Sequence, residues 1–84
     1  MKIHVGNLVH AAVEDDLLYA FGKFGAVQRV NIARNSSDGS SRGFACVDVI
    51  ADIDGNAMIQ GMDGAEMQGQ KLRVTEVHRK NSRR

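Results

Sequence analysis

The groups in this 84-residue chain best suited to covalent or metal chemistry are one cysteine, Cys46, and three histidines, His4, His10 and His78. The histidines stand at no metal-ligand spacing, and a single cysteine supplies neither a thiolate cluster nor a disulfide. Cys46 and His4 could act as nucleophile and base only on neighbouring strands. Even there, an exposed pair without an oxyanion hole or an enclosed pocket lacks what group transfer requires. The stretches Gly22 to Gly25 and Gly61 to Gly64 have the form of a phosphate-clamping loop. Neither joins two helices, and Asp63 puts an acid where a phosphate would sit. Asp52, Asp54 and Gly55 begin like a calcium loop but lack its remaining ligands. No enzymatic activity, metal or cofactor is therefore expected, and binding is the chemistry left.

Charge points to what could be bound. Arg79, Lys80, Arg83 and Arg84 crowd the last six residues, so the body keeps seven basic and ten acidic residues beneath a net charge of +1. A basic tail over residues 79–84, on a mildly acidic domain spanning 1–78, suits a partner that carries phosphates. Length and composition predict a single small soluble domain. No apolar run approaches the ~20 residues that cross a bilayer, and the N-terminus is too short and too quickly polar for a signal peptide. With one cysteine, a reduced cytoplasm is the expected setting. The glycosylation pattern at Asn35 is accordingly read as accidental.

The elements that would position a binding surface follow from periodicity. Lys2 to Val5 alternates polar and apolar, as a half-buried strand does. From Glu14 the apolar residues Val13, Leu17, Ala20, Phe21 and Phe24 recur at helical spacing, acids fill the first turn, and Gly25 is placed to end the helix. Val27 to Arg34 and Arg42 to Val49 read as strands around a polar turn, Asn35 to Ser41, that is expected to be mobile. Ala51 to Met62 reads as a second helix, with Ala51, Gly55, Met58 and Met62 on one face. Gly55 and Gly61 each weaken it by about 1 kcal/mol, and Gly55 is expected to let the helix approach the sheet. Gln68 and Gly69 make a turn before a last strand from Lys71 to Val77.

The order βαββαβ predicts an α+β, ferredoxin-like sandwich: a four-stranded antiparallel sheet with two helices on one face. The other face stays open to water. Strand parity assigns to it Lys2, His4, Arg29, Asn31, Phe44, Cys46, Asp48, Lys71, Arg73 and Thr75. Six of the seven basic residues in the body lie on or beside strands (Lys2, Arg29, Arg34, Arg42, Lys71, Arg73), whereas the acids concentrate in and around the helices. A cationic sheet around an exposed phenylalanine suits a charged backbone carrying flat bases.

The octamer Arg42 to Val49 (RGFACVDV) and the hexamer Ile3 to Leu8 (IHVGNL) resemble the two signature motifs of the RNA-recognition-motif family. Phe21 to Gly25 and Met62 to Gly64 also sit where that family has similar residues. The resemblance runs from Lys2 to about Val77 and is strongest for small bacterial single-domain members. It implies that Phe44 stacks on a base, that Arg42 reaches toward phosphate, and that Asn7 and Gly43 shape the strand ends. Two positions that are usually aromatic differ: the hexamer has His4 and the octamer has Cys46. Imidazole retains some stacking, but a thiol offers almost none, and each lost base stack is worth about 1–3 kcal/mol.

The expected function is weak, sequence-tolerant binding of single-stranded RNA, with single-stranded DNA as the related ligand, by a monomer or weak homodimer. The role would be that of an RNA chaperone or post-transcriptional regulator. The expected site comprises His4, Arg29, Asn31, Arg42, Phe44, Cys46, Lys71 and Arg73, with Arg79 and Lys80 extending it. The rival reading is a protein-interaction or homodimerisation module on the same sheet face, motivated by the ring missing at Cys46.

Overall fold

Alternation dictates the strands and amphipathic spacing the helices. In chain order they are β1 (Lys2–Gly6), α1 (Glu14–Gly22), β2 (Arg29–Arg34), β3 (Ser41–Asp48), α2 (Asp52–Met62), β4 (Glu66–Met67), β5 (Gln70–Lys71) and β6 (Arg73–Glu76). The computed structural model describes residues 1–77; the tail 79–84, with Arg79 and Lys80, lies outside the described residues. β1 lies between β3 and β6, and β2 flanks β3, all antiparallel, in the order β2-β3-β1-β6. The ferredoxin-like sandwich read from the sequence is the observed architecture, with one addition. A separate two-stranded ribbon, β4-β5, precedes the last strand.

The core is one apolar layer between sheet and helices. Ile3, Val5, Ala45, Val47 and Val74 from the strands meet Leu17 and Phe21 of α1 and Met58 of α2, all at 0–1% exposure. Their common parity is what leaves the other face of the sheet uncovered.

The helix ends depart from the expected bounds for packing reasons. α1 stops at Gly22, with Lys23 as its cap, instead of continuing to Gly25. Phe24 therefore leaves the helical stripe, is 38% exposed, and rests where a side chain at Gly61 would stand. Gly25 makes similar room for Asp54, whose Oδ2 accepts the Ala26 N–H at 3.3 Å. In α2, Gly55, Met58 and Met62 are buried as expected, but Ala51 is the exposed N-cap and not a member of the face. Gly55 does allow a close approach, and the group it admits is the Met1 side chain at the start of β1. At the start of α1, Val13 offers no side-chain cap, and its own N–H donates to Asp16 Oδ2 at 3.0 Å.

The last strand is shorter than its alternation suggested. Gln68 and Gly69 both take positive φ, 51° and 92°, the geometry of a two-residue hairpin turn. Met67 then pairs Gln70, and Glu66 pairs Lys71. Lys71 therefore belongs to the small ribbon and not to the four-stranded sheet. Leu72, buried, exchanges backbone hydrogen bonds with Gly64 and Ala65, and β6 begins only at Arg73. The outer edge of β6 is also shielded, because Asp63 Oδ1 accepts the Val74 N–H at 3.0 Å. An uncovered edge would invite pairing with another chain.

Two expectations follow. Asp63→Ala should destabilise the fold by about 1–3 kcal/mol, because it strands a part-buried N–H that a charged acceptor now satisfies. Asp63→Asn, which keeps an acceptor, should cost clearly less; equal losses in urea denaturation would remove this role. Glu14 Oε1 accepts from Arg34 Nη2 at 2.9 Å. The Glu14 carboxyl is held below its ordinary range by its own backbone N–H first and by Arg34 second. A folded-state pKa below the unfolded one stabilises above the unfolded value and is lost as pH falls through the folded one. Arg34→Ala should therefore cost at most about 1 kcal/mol near neutral pH, as for other exposed pairs, and nothing measurable in strong acid.

Candidate functional site

Cross-strand register assembles the open face. Asn31, Cys46, His4 and Thr75 form one row across all four strands, and Arg29, Asp48 and Lys2 form the next. At the other end of the sheet Arg73 lies opposite Gly6. The His4 and Phe44 rings stack, with centroids 5.6 Å apart and planes inclined by 29°. Arg42 covers the Phe44 ring at 5.8 Å, within cation–π range. Both rings are half-buried, so each keeps a wet surface.

Gly6 makes that arrangement possible, and the sequence reading gave it no part. A Cβ there would stand 3.3 Å from His4 Cε1 and 3.8 Å from Arg73 Cβ, so any side chain would crowd the imidazole. His10, weighed in the sequence only as a metal ligand, has a place here too. The loop after β1 brings its imidazole within 3.6 Å of where a Gly43 side chain would stand, while the Leu8 N–H donates to the Gly43 carbonyl at 2.9 Å. Gly43 has φ of 86°, which L side chains rarely adopt. No periodicity could have marked His10, because a loop makes the contact.

Asn7 does shape the strand end. It adopts φ of 57°, its Nδ2 donates to the Lys71 carbonyl at 2.7 Å, and its own carbonyl accepts from Gln70 Nε2 at 2.9 Å. The ribbon is thereby tied to the end of β1, which brings the exposed Lys71 to the margin of the sheet. Lys71 thus pairs in a different sheet from Arg73 and Thr75, with which the parity assignment grouped it.

The predicted separation of charge is sharper on the helices than on the sheet. Glu14, Asp15, Asp16, Asp52 and Asp54 fill the first turns of α1 and α2, and neither helix contains a base. Two strand cations, however, have acidic partners. Lys2 pairs with Asp48 at 3.8 Å, and Arg34 reaches Glu14. Arg29, Arg42 and Arg73 are exposed without an acidic partner among the described residues. The β2–β3 loop is closed by hydrogen bonds: Ser40 donates both its N–H and its hydroxyl to Asp38, which lowers the pKa of that acid.

Two of the depressions formed by the described residues border the sheet. The larger, about 640 Å³, lies at the Met1 and Val77 end of the sheet and contains no aromatic residue. The smaller, about 240 Å³, lies over β2 and β3 and brings together Lys2, Asn31, Phe44, Cys46 and Asp48. Of the candidate site residues, Asn31, Phe44 and Cys46 line the smaller one. Among the described residues no group of three or more His, Cys, Asp or Glu side chains could hold a metal ion, and no helix is long and apolar enough to cross a membrane.

Comparison with known proteins matches this arrangement. RbpF of Nostoc sp., whose name describes an RNA-binding protein, is 37% identical over 83 residues, covering 99% of this chain and 79% of the relative. RbpA of Synechocystis sp., similarly named, is also 37% identical over 83 residues, covering 99% and 82%. The crystal structure of an RNA-binding protein superposes with a TM-score of 0.89 at 33% identity, over 98% of this chain and 99% of that one. The model of one family, described as the RNA recognition motif, matches residues 3–73, a span that holds both signature segments, all of β2 and β3 and nearly all of β1, and that reaches the first residue of β6. With the sheet, the stacked pair and the two motifs agreeing, the chain belongs to the RNA recognition motif family.

Proposed function

We propose that the open sheet face binds single-stranded RNA, weakly and with little sequence preference, in the role of an RNA chaperone or post-transcriptional regulator. The observation that carries the proposal is the half-exposed His4–Phe44 stack with Arg42 across it, on the face that no helix covers. Phe44 offers a ring to one base, and His4 offers a smaller one to the next. Asn31 faces base edges, while Arg29, Arg42 and Arg73 face phosphates. Lys71 adds charge at the margin, and single-stranded DNA suits the same surface. The names of the cyanobacterial relatives support the same partner class.

Weakness follows from Cys46. It stands at the centre of the face, directly opposite both His4 and Asn31, where a ring would contribute about 1–3 kcal/mol of stacking. Electrostatics then carries more of the affinity, and Arg79 and Lys80 extend the basic footprint beyond the domain. The domain is taken as 1–78 with 79–84 as its tail, a cytoplasmic monomer or weak homodimer without covalent chemistry.

The test is an NMR titration with short RNAs at low salt. Shifts of Phe44, His4 and Arg73 are expected; if all three stay still while dilution alters the spectrum, the face serves self-association instead. Phe44→Ala should weaken RNA binding by about 1–3 kcal/mol with an unchanged melting temperature, and an unchanged affinity would take Phe44 out of the site. Affinity should also fall by roughly twentyfold between about 50 and 200 mM salt, for about three phosphates neutralised on a single strand. A flat salt profile would contradict the electrostatic share.

A further inference from the structure

One charged residue of the open face suits neither stacking nor phosphate. Asp48 is half-buried near the end of β3, opposite Lys2 on one neighbouring strand and Arg29 on the other. A carboxylate there repels phosphate, so on a surface that meets nucleic acid it needs a partner with N–H groups. Lys2 meets that need only loosely: the pair is 3.8 Å long and the lysine side chain is 54% exposed. An ion pair of that kind contributes little to folding.

Asp48 and Lys2 border the depression of about 240 Å³ that also touches Asn31, Cys46 and Phe44. Along β3, Cys46 lies two residues from Phe44 and two from Asp48, about 7 Å in each direction. A base lying flat over Cys46 therefore has the Phe44 ring toward one edge and the Asp48–Lys2 pair toward the other. Four bases differ in what they offer such a pair. Guanine presents two parallel N–H donors, N1–H and N2–H, beside the O6 acceptor. Adenine and cytosine set one amino group beside a lone pair that a carboxylate repels, and uracil flanks a single N–H with two carbonyl oxygens.

We propose that this depression is a guanine subsite, with Asp48 accepting from N1–H and N2–H and Lys2 donating to O6. The thiol at Cys46, which weakens stacking, leaves the depth that lets a base settle between the Phe44 and Asp48 side chains and reach the carboxylate. The assignment rests on the RNA-binding reading and makes one position on an otherwise tolerant face selective.

Fluorescence anisotropy at low salt, with uridine hexamers carrying one central guanosine, inosine, adenosine or uridine, tests it. The guanosine oligomer should bind wild-type protein about tenfold tighter than the adenosine or all-uridine ones, the size of one good bidentate base contact. Inosine, which lacks the 2-amino group, should fall between. Asp48→Ala should erase the preference while leaving all-uridine RNA bound as tightly as by wild type, or more tightly, because a negative charge is gone. Equal wild-type affinity for all four oligomers, or an Asp48→Ala protein that loses every oligomer alike, overturns the guanine assignment and leaves RNA binding standing. Failure of every oligomer to bind wild type overturns the RNA reading itself.

Discussion

Two helices of nine and eleven residues can cover one face of a four-stranded sheet and not both. Every other property of this molecule depends on that limit. The two-residue period of the strands sends Ile3, Val5, Ala45, Val47 and Val74 into the covered layer, where each is essentially dry. The opposite parity has no such shelter, so aromatic and charged side chains can stand together there at half exposure. In the covered layer a buried arginine would carry a large desolvation cost, and a ring would be spent on packing. On the open side the same groups remain available to a ligand.

Holding that face in register depends on contacts made behind and beside it. Asp54 and Asp63, both in or beside α2, accept backbone N–H groups from the loop after α1 and from β6. Gly61 leaves room for the Phe24 ring, and Gly55 for Met1. Asn7 ties the ribbon to the end of β1. None of these groups touches the open face. Together they keep the four strands at their observed offsets, and an offset of one residue would turn His4 and Phe44 into the core.

Charge is distributed on the same plan. The first turns of both helices carry only acids, which suit the positive ends of the helix dipoles, and the sheet keeps exposed arginines. Asp48 breaks the pattern on the sheet, and Cys46 breaks the aromatic series. They lie two residues apart on one strand, beside one depression. On the binding reading proposed above, a face lacking its central ring would bind less by stacking, and a carboxylate beside the gap would give it a means of choosing among bases.

The sequence by itself determined the element types, the sandwich, the parity of the strands and the two motif segments. Those features are local: they depend on residues a few positions apart, and the periods of two and 3.6 state them directly. It also brought Phe44 and His4 to one face, because motif and parity agreed on them, and singled out Arg42 through the motif alone. Only the tertiary structure decided where Lys71 belongs, because the positive φ of Gln68 and Gly69 turns the chain into a ribbon that alternation cannot distinguish from a strand start. It alone paired Arg34 with Glu14 across 20 residues and Lys2 with Asp48 across the sheet. It alone set the His4 ring over Gly6. Such contacts join residues distant in the chain, and their partners are chosen by register and loop closure, which no local pattern encodes.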